Sequence, residues 1–96
     1  MLLKAGVDIS RLKRNIRRSL TIVDSIMEDE SEILIITSTF EGNHSAGSLH
    51  YADQAYDMRI PIYDPSRIFG RIKEALGSKF DVVWEEDHIH VEYDPK

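Results

Sequence analysis

His88 and His90 stand one residue apart in Asp87-His88-Ile89-His90-Val91-Glu92, and His50 and Asp57 lie upstream. In an extended strand successive side chains point to opposite faces, so His88 and His90 face one way while Ile89, Val91 and Tyr93 face the other. One face can coordinate and the other can pack. The chain has no cysteine, which leaves His, Asp and Glu as the only strong metal donors. His50, Asp57 and His90, brought from separate strands onto one sheet face, would offer two imidazoles and a carboxylate with a fourth position open. That is the ligand set of a catalytic rather than a structural zinc site, and it points to hydrolysis. His88 has three readings on its own: a fourth ligand that closes the site, a hydrogen-bond donor to an oxyanion, or a surface residue.

Such a site needs strands to hold it. Residues 33–37, Ile-Leu-Ile-Ile-Thr, suit a buried central strand, and residues 54–60 can form a second. Between them, residues 38–49 carry two glycines, an asparagine and several Ser and Thr, which is loop chemistry. Phe80, Val82 and Trp84 alternate with Asp81, Val83 and Glu85; after a polar turn residues 88–93 alternate again, so the C-terminal part reads as a β-hairpin. Ile9, Leu12, Ile16, Leu20, Val23 and Met27 recur at helical steps and predict an amphipathic helix over residues 8–27 with Asp8 as N-cap. Asp64 and Pro65 start another helix with an apolar stripe of Ile68, Phe69, Ile72 and Leu76, and Gly77 stops it. The expected class is α+β: a small, mainly antiparallel sheet with two helices packed against it and the zinc site on the sheet face.

The 96 residues form one domain with a single modest core, and no repeat or linker divides them. Twelve basic against 17 acidic residues give a net charge of -5, which repels phosphate backbones and argues against nucleic acid as a partner. The N-terminal residues lack the apolar stretch of a signal peptide and no run approaches a membrane span, so a soluble chain made in the cytoplasm is expected. Arg11, Arg14 and Arg18 share a helical face opposite the apolar stripe, beside Lys13 and Arg17. The ordinary meaning is a solvated face; the sharper one is contact with an anionic polymer. Trp84, Tyr51, Tyr56 and Phe40 are either core or the walls of a groove.

The stretch His44-Ser45-Ala46-Gly47-Ser48-Leu49-His50 through Asp57-Met58-Arg59, followed by Glu85-Glu86-Asp87-His88-Ile89-His90-Val91-Glu92, resembles the D-alanyl-D-alanine metallopeptidases. These zinc enzymes cut peptide bonds in bacterial peptidoglycan and share a minimal core with lysostaphin-type peptidases and the hedgehog signalling domain. The likeness covers about residues 33–93 and is closest to compact phage-encoded members. The family signature Ser-x-His-x-x-Gly-x-Ala-x-Asp is matched by Ser48, His50, Ala55 and Asp57, and the second histidine of its His-x-His, a zinc ligand, maps to His90. The resemblance therefore implies zinc on His50, Asp57 and His90, an oxyanion role for His88, and substrate contacts from Ser48 and Arg59. Two positions depart from it. Asp53 stands where the family has glycine, and Thr37-Ser38-Thr39-Phe40 lacks the arginine that pairs with a substrate's terminal carboxylate, which leaves endopeptidase as well as carboxypeptidase action open.

A zinc hydrolase needs a base for the attacking water. Glu85, three residues before His88 as in the family's Glu-x-x-His, is the first candidate and Asp87, three before His90, the second. Glu92 shares the histidine face and can orient an imidazole. The leading expectation is a zinc peptidase acting on peptidoglycan peptides, which in a phage lysis setting is released to the cell wall. The competing one is a non-catalytic zinc-binding module for recognition or phage assembly.

Overall fold

Alternation along the C-terminal hairpin is clearest in its second strand. In β5 (Ile89–Tyr93), Ile89 and Val91 are completely buried, while His90 and Glu92 lie half-buried on the opposite face. A computed structural model describes residues 1–39 and 54–95 of the chain. Within them β5 pairs antiparallel with β4 (Phe80–Trp84) on one side and with β3 (Ala55–Met58) on the other. β3 pairs antiparallel with β2 (Ile35–Ser38), and the two-residue β1 (Leu2–Leu3) adds to β2 in parallel. The strand order is β1-β2-β3-β5-β4.

Two helices cover one face of this sheet. In α1 (Arg14–Asp29), Ile16, Leu20, Val23 and Met27 return to the same side every three or four residues, which gives a stripe that a sheet can bury. In α2 (Pro65–Leu76), Ile68, Ile72 and Leu76 do the same. Both stripes enter one core with Leu34, Ile36, Tyr56, Met58, Val82, Ile89 and Val91. The register shows why these strand residues share a face: Met58 lies opposite Ile89, and Val91 lies opposite both Tyr56 and Val82.

The α+β class, the mainly antiparallel sheet and the two helices agree with the sequence expectation; several details do not. The first helix begins at Arg14, not Asp8, because Asp8 Oδ1 accepts the Ser10 amide at 2.8 Å and holds a turn instead. Arg17 fastens that turn by donating to the carbonyls of Ile9 and Ser10 at 2.9 and 3.0 Å. Leu12 is buried and Ile9 packs on the core from this turn, so the apolar spacing that predicted helix is satisfied without one. The strand expected to be central, β2, stands second in the order; β3 occupies the middle. Asp64 does precede α2, with Pro65 in its first turn, but it adopts φ 45° and its carboxylate accepts from Arg67 Nε at 2.9 Å rather than capping the helix. Asp is among the few residue types that enter this left-handed region readily.

The helices are joined at their polar edges. Glu30, just past α1, accepts from both Arg67 and Arg71 of α2, and Arg71 Nη1 also reaches Asp29 at 2.8 Å. These two guanidinium groups hold the Glu30 carboxyl down to about 2. The buried phenol of Tyr56 is also answered: Ser19 Oγ lies 2.6 Å from the Ile16 carbonyl and 3.2 Å from the Tyr56 hydroxyl. Each hydroxyl has a single proton, so Ser19 donates to Ile16 while Tyr56 donates to Ser19. Burial pushes the Tyr56 phenol well above its ordinary range. Ser19→Ala should therefore cost about 1–3 kcal/mol by leaving a buried hydroxyl unpaired, and adding Tyr56→Phe should recover most of the loss. Urea midpoints of the two single variants and the double variant test this; a Ser19→Ala midpoint equal to wild type would sink it.

Candidate metal centre

The face of β3 and β5 opposite the helices gathers the polar residues that the helix face excludes. Asp57 is the register partner of His90, and the same alternation sets Glu92 beside His90. His90 Nδ1 lies 2.9 Å from Asp57 Oδ1, and His90 Nε2 lies 2.5 Å from Glu92 Oε1. His88 approaches from the hairpin turn, with Nε2 at 3.7 Å from Asp57 Oδ2 and Nδ1 at 2.6 Å from Asp87 Oδ1. The turn itself is closed by the Glu85 amide, which donates to the His88 carbonyl at 2.9 Å.

Charge follows from this packing. Partial burial works against a proton on His90, but hydrogen bonds to Asp57 and Glu92, and the charge of both, outweigh it and raise its pKa above the ordinary 6.5. Asp87, exposed, is held below the usual carboxylate range by its hydrogen bond with His88.

Asp57, His88 and His90 thus lie close together on one sheet face, and Glu92 contacts the His90 ring; of the expected ligands His50, Asp57 and His90, the described residues include the last two. Ligands about 2.0–2.1 Å from a tetrahedral ion stand about 3.4 Å from one another. Here Asp57 Oδ1 lies 2.9 Å from His90 Nδ1, a hydrogen-bond distance, and its other oxygen lies 3.7 Å from His88 Nε2, so the described residues alone do not form a three-ligand set at this point. His50 and Ser48 lie outside the described residues, as do His44, Phe40, Tyr51 and Asp53, so the third expected ligand is not among the groups seen here. Glu85 is exposed at the end of β4. Arg59, two residues beyond Asp57, lines a groove of 180 Å³ with Ile33, Ile35, Ile62 and Tyr63. Tyr56 and Trp84 do not line the site: Tyr56 is core, and Trp84 packs against Phe69 of α2 with the rings tilted and their centroids 5.5 Å apart, on the helix side of the sheet.

One grouping escaped the sequence reading. Among the described residues, Asp81, Glu92 and Asp94 bring their carboxylates within 4.8 Å of one another, all half-buried. The only signal was a hairpin register that pairs Asp81 with Glu92, and that register cannot be read before the turn is known. An all-oxygen set suits hard cations rather than zinc.

Comparison with protein-family models, with curated proteins and with solved structures finds no match to this chain.

In the metal-free protein the His90 ring should titrate above 6.5, and Asp57→Asn should bring the midpoint down by removing the carboxylate charge beside Nδ1. The linked stability has a defined sign: a raised folded pKa favours the fold below the unfolded value, and that contribution is lost as pH rises through the folded one. Ring-proton NMR titration of both proteins measures the shift, and an unchanged midpoint in Asp57→Asn would dismiss the pairing.

Proposed function

We propose that the face carrying Asp57, His88 and His90 is a zinc centre and that the protein is a zinc-dependent peptidase acting on peptidoglycan peptides, with carboxypeptidase or endopeptidase action. The observation that supports this reading is the register of β3 on β5, which sets Asp57 against His90, two of the three expected ligands, with His88 close by on the same face of the sheet. Their donor chemistry fits zinc, with His50 as the expected third protein ligand beside Asp57 and His90. Zinc held there would polarise a peptide carbonyl and make water more acidic.

The chain's own groups would do the rest. Glu85 takes the proton of the attacking water and passes it to the leaving amine. His88 donates to the oxyanion through Nε2, since Nδ1 is occupied by Asp87; donation from both ring nitrogens requires the imidazolium form. That engagement of Asp87 favours Glu85 over Asp87 as the base. Arg59, at the groove beyond Asp57, offers a cation to an acidic group of the substrate.

Elemental analysis should find zinc in wild type and lose it in His50→Ala, Asp57→Ala and His90→Ala, while His88→Ala keeps the metal and loses about a hundredfold in turnover. Glu85→Gln should keep fold and zinc yet slow cleavage of defined muropeptides, followed by mass spectrometry, by about a hundred- to ten-thousandfold, with Asp87→Asn as its control. Zinc retained at full stoichiometry in Asp57→Ala or His90→Ala removes that residue from the site. Zinc-loaded wild type that cuts no muropeptide replaces the peptidase by a non-catalytic zinc-binding module.

A further inference from the structure

β4 forms one edge of the sheet, and its polar backbone groups are sorted by parity. The Lys79 carbonyl accepts from Asp94 and the Glu85 amide donates to His88, so the odd residues of this segment turn their amides and carbonyls toward β5. The even residues Phe80, Val82 and Trp84 turn theirs outward, and among the described residues no strand pairs with that edge. Among the described residues the Phe80 amide has a backbone partner there, the Gly77 carbonyl at 3.3 Å. The edge is five residues long and carries exposed Val83 and Trp84 at 43% and 39% of full exposure. Edges of this kind are ordinarily shortened, charged or covered.

From this edge we infer that the protein pairs with a second copy of itself, β4 against β4 antiparallel, about a two-fold axis at Val82. Two identical strands related by a two-fold axis perpendicular to the sheet must oppose residues of the same parity, or the helices of the two copies would fall on opposite faces. Of the registers that satisfy this rule, the one centred on Val83 sets Asp81 against Glu85, and the one centred on Asp81 sets that carboxylate against itself. Centring on Val82 sets Lys79 against Glu85 at both ends and Phe80 against Trp84 on the helix side. It also makes Val82 a hydrogen-bonded pair, so the outward amides of Val82 and Trp84 meet the outward carbonyls of Val82 and Phe80. The Lys79–Glu85 pairs then fall at non-hydrogen-bonded positions, where facing side chains approach most closely. Both residues are exposed in the single chain.

Light scattering or sedimentation equilibrium tests the pairing. The weight-average mass should climb with concentration from 11.1 kDa toward twice that value. Lys79→Glu and Glu85→Lys should each weaken association by about tenfold or more, since each sets two like-charged pairs across the axis, and the double charge swap should restore it. Both positions are exposed, and circular dichroism checks that the variants fold. A mass fixed at 11.1 kDa up to roughly millimolar protein overturns the inference, as does a dimer indifferent to both reversals. The inference rests on the β4 edge alone. Because Glu85 is also the proposed base, the readout is mass rather than turnover, so either reading can fail without the other.

Discussion

The pairing of β3 with β5 is the constraint from which the remaining architecture follows. It opposes Met58 to Ile89 and Tyr56 to Val91 on the helix side, and Asp57 to His90 on the other. Because side chains in a strand alternate with a period of two, these two sets cannot be adjusted separately. A slip of one residue by β5 would carry His90 and Glu92 into the core and expose Ile89 and Val91, and a slip by β3 would bury Asp57 and expose Tyr56 and Met58. Burying even one unpaired charge costs far more than a surface polar contact returns, so the core enforces the register and the register assembles the polar site. The geometry around His90 is in this sense a product of packing on the far side of the sheet.

The helices that complete the core have their own limits. Their apolar stripes demand only proximity to the sheet; the angle and spacing between them are narrowed by Glu30, which takes both arginines of α2 onto one carboxylate. An exposed ion pair alone contributes little, but one carboxylate gripped by two guanidinium groups is a network with fixed geometry. Its depressed pKa gives it a direction with pH: the contribution is present above the ordinary carboxyl value of 4.5 and is lost as pH falls toward about 2. The turn ahead of α1 is tied down in a similar way, by Arg17 on one side and by Thr39 Oγ1, which donates to the Asp8 carbonyl at 2.9 Å, on the other. Thr39 is fully buried at the end of β2, so this bond links the N-terminal turn to the sheet.

What was legible in the sequence is what depends on period. Alternation in residues 80–93 gave the hairpin and the face of His88 and His90, and Gly77, with φ 78°, does end α2. What depends on competition between local hydrogen bonds was not legible. Ile9 and Leu12 keep helical spacing to Ile16, yet the Asp8 carboxylate claims the Ser10 amide, and a turn serves the same apolar contacts. β1 could not be foreseen, because two leucines carry no period; only the exposed edge of β2 reveals their place. The meeting of Asp57 with His90 lay between these cases. Each residue was picked out by type and by resemblance, but their opposition is a matter of register, which no single strand encodes.

The engagement of both His90 nitrogens bears on how a metal would be held. A neutral imidazole carries one proton and one free lone pair, whereas here both nitrogens face carboxylates, which is why the ring holds its second proton above the ordinary range. The two contacts are not equivalent. Glu92 sits two residues along the same strand and its carboxylate meets Nε2, while Asp57 belongs to the neighbouring strand and meets Nδ1. Were zinc held on this face, His90 would have to give up one of its two ring protons, and among the described residues the other expected ligand beside it, Asp57, faces Nδ1. A proton kept on Nε2 would be held by Glu92, which would fix the ring and increase its basicity as a ligand. Binding would release a proton and exchange an imidazolium between two carboxylates for a cation of higher charge, so zinc affinity must fall as pH drops through the His90 transition.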